Sequence, residues 1–319
     1  MTTTLVTGAT GTIGNAIARR LIGEGRSVRC LVRNLEAAAK IVPEDCELIL
    51  GDVTDMASIE AAMAGCSAVF HAAGMPEQWV RDPAIFDRVN SGGTQHMLDA
   101  ARQADVQSFV YTSTQDMFDL NANPFDETML WKKPLKSHYE RSKQKAERRV
   151  EAALDRGLPV QFIHPVGTYG PTPGAPTALN TLLHDLAQNK IPLLLPGGFP
   201  VVFNDDLARL QLLAEAKGEH GARYIAFESY QTLHQIAEAV ASIIPDAKIP
   251  GMMPGWSASL IAGVGELVSK FTRKPPLISA GELGVLKRKG RPSAQKAKQD
   301  LGWVPTPFLA GLKQTLTSD

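Results

Sequence analysis

Cysteine, long apolar runs and an excess of either charge are all scarce in this chain. Its three cysteines, Cys30, Cys46 and Cys66, are odd in number and spread along the sequence. That leaves neither a disulfide framework nor zinc-site spacing, and no metal site is expected. Lysine plus arginine balance aspartate plus glutamate at 33 each, so nucleic acid is not an expected partner. The longest apolar stretch, Trp256 to Val268, carries Glu266 and falls short of the ~20 residues that span a bilayer. No membrane span is therefore expected. No leader segment is read before the first strand, and the cytoplasm is the expected location.

What is present is a regular alternation of short apolar strands and amphipathic helices. Strands are expected at Leu5–Val6, Ser27–Val32, Glu47–Leu50, Ser67–His71, Ser108–Thr112 and Pro159–Ile163. Helices are expected between them, at about Thr12–Glu24, Leu35–Lys40, from Asp55 as N-cap, at Ala84–Ala104 and at Ser137–Arg156. Such alternation predicts an α/β fold with a parallel sheet covered on both faces. After the Pro165…Pro176 run the pattern weakens into helices at Pro176–Gln188, Asp205–Lys217, Thr232–Ile243, Trp256–Phe271, Ala280–Lys289 and Ser293–Leu301, with one strand at Ala222–Phe227. The expected organisation is a dinucleotide-binding domain over 1–170. A smaller, mostly helical substrate region follows over 171–319, with a segment near 201–230 returning to the main sheet.

The stretch Thr7-Gly8-Ala9-Thr10-Gly11-Thr12-Ile13-Gly14 joins the first strand to the first helix. Three glycines at spacing three allow a tight turn and close approach of a pyrophosphate. The helix N-terminus adds free N–H groups and a partial positive charge. Tyr139 and Lys143 lie four apart on a helix and so share a face. An ammonium beside a phenol stabilises the phenolate and fits it for acid–base work. Tyr111-Thr112-Ser113-Thr114 closes the fifth strand, and hydroxyls at that end of a parallel sheet face the ligand crevice. Arg33 ends the second strand where a carboxylate would favour NAD, and Lys40 adds a second positive charge. NADP is thus expected over NAD.

These motifs resemble those of the extended branch of the short-chain dehydrogenase/reductase superfamily, the NAD-dependent epimerase/dehydratase family, and within it dihydroflavonol reductases. TGATGxIG, the YxxxK pair at Tyr139, His71-Ala72-Ala73-Gly74, Asn90, and His164-Pro165-Val166-Gly167-Thr168-Tyr169-Gly170-Pro171 carry the likeness. The last departs from the family's pattern by histidine in place of arginine. The resemblance implies a Rossmann-type doubly wound sheet and an enzyme moving hydride between NADP and a carbonyl or alcohol. It implies Tyr139 as proton donor, Lys143 as its partner and Thr114 as the supporting hydroxyl, with Ser113 as the alternative. Gly8, Thr10, Gly11, Thr12, Ile13, Gly14, Asp52, Val53, Ala72, Ala73, Gly74, Thr112, Pro165, Val166 and Gly167 would line the cofactor, with Asp52 beside the adenine and Asn90 anchoring nearby backbone.

Met75, Trp79, Met117, Phe118 and Trp131 are expected to line an apolar substrate pocket, with Trp256 a further candidate. A small molecule is the expected partner, and a homodimer is left open. The alternatives are a nucleotide-sugar epimerase or dehydratase and a 3β-hydroxysteroid-dehydrogenase-like alcohol dehydrogenase. The intact tyrosine–lysine pair argues against a non-catalytic cofactor sensor. The segment Gly198–Ala208 lacks the arginine that epimerases direct at a diphosphate, although Arg273 or Arg291 could replace it.

Overall fold

The computed structural model describes residues 3–76, 80–174, 176–255, 286, 288 and 290–317. The expected helices at 256–271 and 280–289, and the pocket candidates Trp79 and Trp256, lie outside the described residues or almost wholly so. Strands β1 (Thr3–Thr7), β2 (Ser27–Val32), β3 (Glu47–Leu50), β4 (Cys66–His71), β5 (Ser108–Thr112) and β6 (Val160–Pro165) fall within a residue or two of their expected positions. Helix α1 (Thr12–Gly23) follows β1, α2 (Leu35–Ala39) follows β2, and α3 (Met56–Met63) follows β3. The Asn34 side chain caps α2 by accepting Ala37 N–H at 2.9 Å, and Asp55 caps α3 by accepting Ala57 N–H at 3.2 Å.

The long helix expected after β4 is built differently. One turn of α4 (Ala84–Phe86) runs into a π-helical stretch (Asp87–Gly93) and then α5 (Thr94–Gln103). A Cβ on Gly93 would lie 2.7 Å from Val53 Cγ2, so the wide turn passes hard against Val53. The tyrosine helix α6 (His138–Leu154) begins at a reciprocal cap: Ser137 Oγ accepts Glu140 N–H at 3.0 Å, and Glu140 Oε2 accepts Ser137 N–H at 2.9 Å.

Beyond β6 the chain forms β7 (Gly167–Tyr169), α7 (Ala178–Ala187), β8 (Leu193–Leu194), β9 (Gly198–Phe203), α8 (Asn204–Lys217), β10 (Arg223–Ala226), β11 (Ser229–Thr232), α9 (Leu233–Ile243), β12 (Gly251–Met252), α10 (Gln295–Leu301) and α11 (Phe308–Thr317). The main sheet has seven strands in the order β10-β6-β5-β4-β1-β2-β3, all parallel. A second, three-stranded sheet runs β11-β9-β7. The sequence reading missed that sheet and also α11. The fold is thus a Rossmann-type doubly wound sheet with a helical C-terminal region.

One face of the main sheet buries Val6, Cys30, Phe70 and Val110 against α1, α8 and Trp303. The other buries Leu5, Val69, Phe109 and Tyr111 against α3, α5 and α6. α8 is tied to α1 by Arg20–Asp205 at 2.5 Å, and to the end of β1–β2 by Arg26–Glu215 at 2.6 Å. Cys30 and Cys46, apart in sequence, are both buried in the core beside β2 and β3, and the neighbouring Cys46 thiol together with burial pushes the Cys30 thiol up. At the outer edge, β10 does not leave its Ile225 N–H bare: Glu127 Oε1 accepts it at 2.9 Å.

Order β4-β1-β2 places the reversal of strand connection between β1 and β4, where such sheets open a ligand crevice. Gly8 turns there with φ +75°, and a Cβ on it would stand 2.8 Å from the Ala72 carbonyl carbon and Ala73 N. A Cβ on Gly14 would meet Gly8 O at 2.4 Å, so α1 is seated directly on the turn. Gly11 is different, since its Cβ would find only Gly8 O, at 3.4 Å. Gly14→Ala is therefore expected to destabilise the fold by about 3 kcal/mol, and Gly11→Ala by less than about 1 kcal/mol. Urea denaturation of the two variants checks this. Equal losses would show that the turn does not pack as described.

Candidate active site

The Gly11 end of α1 carries no side-chain cap. Its first-turn N–H groups and the open side of Gly11 face the crevice, which suits a pyrophosphate. Across it, the β4 end is fixed by a chain of polar contacts. Ala73 N–H donates to Thr7 Oγ1 at 3.1 Å, and Thr7 Oγ1 lies 2.8 Å from His71 Nδ1. His71 Nε2 lies 3.1 Å from Thr94 Oγ1, which donates to Asn90 O at 2.6 Å. Burial pushes His71 down to about 3, so the ring is neutral, and these partners assign its proton to Nε2. His71 is a strut between β4 and the π stretch.

Asn90, on that stretch, accepts Met75 N–H at 2.6 Å and donates to Met75 O at 3.1 Å and to Ser142 Oγ at 3.0 Å. It anchors the Ala72–Met75 segment to α6. Ser142 in turn donates to Tyr139 O at 2.6 Å. The tyrosine helix and the β4 loop are thereby held together.

The end of β5 is gripped residue by residue. Lys143 Nζ donates to Thr112 O at 2.8 Å and sits 4.7 Å from the Tyr111 ring centre. Thr112 Oγ1 donates to Gln211 Oε1 on α8 at 3.2 Å. Ser113 Oγ donates to Glu147 Oε2, one turn beyond Lys143. Thr114 O accepts from His164 Nδ1 at 3.1 Å, and Thr114 Oγ1 donates to Asp116 Oδ2 at 2.9 Å. Of the two candidate hydroxyls, Ser113 is thus turned inward to a buried carboxylate, and Thr114 stands past the strand's end.

Beneath this lies a buried charge cluster. Glu147 Oε1 is 3.4 Å from Arg223 Nε and 3.7 Å from His164 Nε2. Burial pushes His164 down to about 3 and pushes the Glu147 carboxyl up. His164 occupies the place where the family pattern has arginine, and Arg223 from β10 brings the positive charge instead. Burial draws the Lys143 ammonium down to about 8, and the Glu147 charge works against that fall. Tyr139, half-buried, meets Phe86 edge-on with ring centres 6.2 Å apart.

Arg33 is exposed and makes no ion pair with a described residue; Lys40 pairs only with Glu36, at 3.5 Å on the same helix. Asp52 uses Oδ1 to hold Thr54 N–H at 2.8 Å and Thr54 Oγ1 at 2.7 Å. Val53 is buried against Gly93. Thr12 Oγ1 donates to Thr172 Oγ1 at 3.2 Å, and a Cβ on Gly174 would meet Thr10 O at 2.1 Å. The segment after β7 therefore lies against the glycine turn. Pro165, Val166 and Gly167 form the step from β6 to β7.

Of the pocket candidates, Met75 is half-buried, and Trp131 N–H donates to Met117 O at 2.7 Å, which brings those two together. Met117 itself is buried. Phe118 is 1% exposed and packs on His164 and Phe125, with ring centres 4.6 Å and 6.2 Å away. The sequence reading missed Asp116, Glu140, Glu147 and Arg288. Two of them had a signal: Glu147 lies four residues beyond Lys143 on the Tyr139 face, and Glu140 completes the Ser137-x-x-Glu140 capping pattern.

Residues 4–227 match the NAD dependent epimerase/dehydratase family. The chain is 29% identical over 315 residues to sterol demethylase protein B of Methylococcus capsulatus, covering 97% of this chain and 95% of that one. It is 30% identical over 319 residues to a 4-hydroxy-2-methyl-3-oxo-4-farnesyl-3,4-dihydroquinoline-1-oxide ketoreductase of Stigmatella aurantiaca, covering 94% and 91%. Among solved structures it is similar to the protein gox2253, at 28% identity and TM-score 0.84, over 99% of this chain and 97% of that one. The chain belongs to the NAD dependent epimerase/dehydratase family, the extended short-chain dehydrogenases/reductases, and is an oxidoreductase.

Glu147→Gln removes the charge that holds the Lys143 ammonium up. The variant's lysine then loses its proton at lower pH, and the alkaline limb of the turnover–pH profile is expected to move the same way. A profile identical to that of the parent would show that Glu147 is not felt at Lys143.

Proposed function

We propose that the protein is an NADP(H)-dependent reductase or dehydrogenase for a carbonyl or alcohol carbon in a bulky, mainly apolar substrate. The turn from Gly8 to Gly14 and the uncapped start of α1 would hold the pyrophosphate, and Asp52 keeps Oδ2 outside its Thr54 contacts for the adenine amine. Arg33, exposed at the end of β2 and without an ion pair among the described residues, would meet the 2′-phosphate. A nicotinamide held by these residues would supply hydride chemistry at the substrate carbon. Tyr139 gives the substrate oxygen its proton on reduction and takes it back on oxidation, helped by the Lys143 ammonium. Thr114 holds that oxygen by its hydroxyl. Tyr139 shares its helix face with Lys143, and Lys143 in turn grips β5 two residues before Thr114.

The substrate class rests on one observation. Arg288, a cation that the C-terminal region brings to Asp116, is already shared between Asp116 at 2.7 Å and Glu140 at 2.9 Å. Among the described residues there, two carboxylates stand against one arginine, a poor match for a sugar diphosphate. Arg291 lies over the Tyr230 ring, 3.2 Å from its centre. The similarity to a ketoreductase over 94% of the chain supports the same reading.

A panel of phenanthrenequinone, a decalone, a steroid ketone and cinnamaldehyde, followed by NADPH oxidation, tests the proposal. Saturable binding of UDP-glucose with no turnover of any panel member would replace it with an epimerase reading. Tyr139→Phe is expected to slow turnover ~10²–10⁴-fold with cofactor affinity unchanged. Arg33→Asp is expected to move the affinity ratio toward NAD by about tenfold or more, read by titrating both cofactors.

A further inference from the structure

We infer that Asp116 is a positioning residue for the reaction, holding the Thr114 hydroxyl in one orientation, and that Arg288 locks Asp116 to the start of the tyrosine helix. The inference rests on the reading of Thr114 as the hydroxyl that holds the substrate oxygen.

Thr114 Oγ1 receives the Asp116 backbone N–H at 3.3 Å and donates its own proton to Asp116 Oδ2 at 2.9 Å. One residue thus occupies both sides of the hydroxyl, and the two bonds together restrain the Thr114 side chain. Asp116 is 9% exposed, and a buried carboxylate needs a second strong partner. Arg288 supplies it, one guanidinium nitrogen standing 2.7 Å from Asp116 Oδ1. The other nitrogen is 2.9 Å from Glu140 Oε1. Glu140 follows Tyr139 directly, and its remaining oxygen accepts Ser137 N–H at 2.9 Å and Lys136 N–H at 3.1 Å.

An unbroken line of charge-assisted hydrogen bonds therefore runs from the Thr114 hydroxyl to the first turn of the helix that carries Tyr139. Three remote stretches of chain meet in it. Each end stops beside a group that would act on the substrate oxygen.

A hydroxyl has one proton. To hold a carbonyl oxygen, Thr114 turns that proton from Asp116 to the substrate while its heavy atoms stay in place. Asp116 then loses a donor, and Arg288 keeps its charge compensated. Without Arg288, the same turn would leave a buried carboxylate short of partners, which opposes it.

The test is a double-mutant cycle among Thr114→Ala, Asp116→Asn and Arg288→Gln, using NADPH and the panel carbonyl that the parent reduces fastest. NADPH affinity is followed in parallel by cofactor fluorescence. Thr114→Ala is expected to lower kcat by about 10²-fold, and Asp116→Asn by about 10- to 100-fold, with NADPH affinity held within about twofold of the parent's. On the Thr114→Ala background Asp116→Asn should lower kcat no further, because it acts through that hydroxyl. Multiplying effects, or an Asp116→Asn enzyme with parental kcat, would overturn the inference while leaving the proposed function intact. A Thr114→Ala enzyme with parental kcat, or a parent that reduces no panel carbonyl, removes the reading of Thr114 and this inference with it. Should Asp116→Asn not fold, Arg288→Gln decides by the same cycle, since its side chain is 32% exposed and tolerates exchange.

Discussion

A lysine ammonium shut away from water needs an acceptor close by and a negative charge within reach, and the heart of this structure answers that demand. Lys143 finds its acceptor in the carbonyl of Thr112 and its charge in Glu147, one helical turn along. Both partners have further attachments. Thr112 is bonded across the sheet to α8, and Glu147 is bonded to Ser113 and set beside Arg223 and His164. Satisfying one buried amine thus draws α6, α8, β5, β6 and β10 into a single arrangement. The C-terminal end of β5, where the proposed function sets its chemistry, cannot shift without breaking several of these bonds at once.

The cofactor side is organised more simply. Backbone closeness does there what charge does at β5: Gly8 against Ala72 and Ala73, and Gly14 against Gly8, leave no room for a Cβ. Gly11 is the loosest of the three, its Cβ meeting Gly8 O at 3.4 Å, and in the proposed function a pyrophosphate would lie on that side. The family match from residue 4 to residue 227 takes in both halves of this construction.

Much of this was legible in the chain. The first six strands announced themselves by compact β-branched and apolar runs, each bounded by turn residues, and their limits came out nearly right. Tyr139 and Lys143 could be set on one face because helical spacing is a local property. What escaped had non-local causes. The π stretch ends with Gly93 packed on Val53, forty residues earlier. The β7–β9–β11 sheet uses strands of three to six residues whose partners lie far apart in sequence. The α11 helix hides behind Gly311, whose Cβ would strike the Tyr169 hydroxyl at 2.6 Å. Asp116 and Arg288 were invisible for the same reason, since their pairing joins residues 172 positions apart. Phe118 is apolar and next to the site in sequence, yet the His164 and Phe125 rings claim it for the interior.

The carboxylate at the rim of the main sheet has a consequence for how these molecules meet one another. A parallel sheet ends in a strand whose outward N–H and C=O groups can template a strand from another chain. Here Glu127 Oε1 already occupies the Ile225 N–H of β10, and burial holds that carboxyl up toward its neutral form. An incoming strand would have to displace the side chain, lose its hydrogen bond and place its own carbonyls beside a carboxylate. At Ile225, strand addition would therefore have to break an existing hydrogen bond before it could make its own.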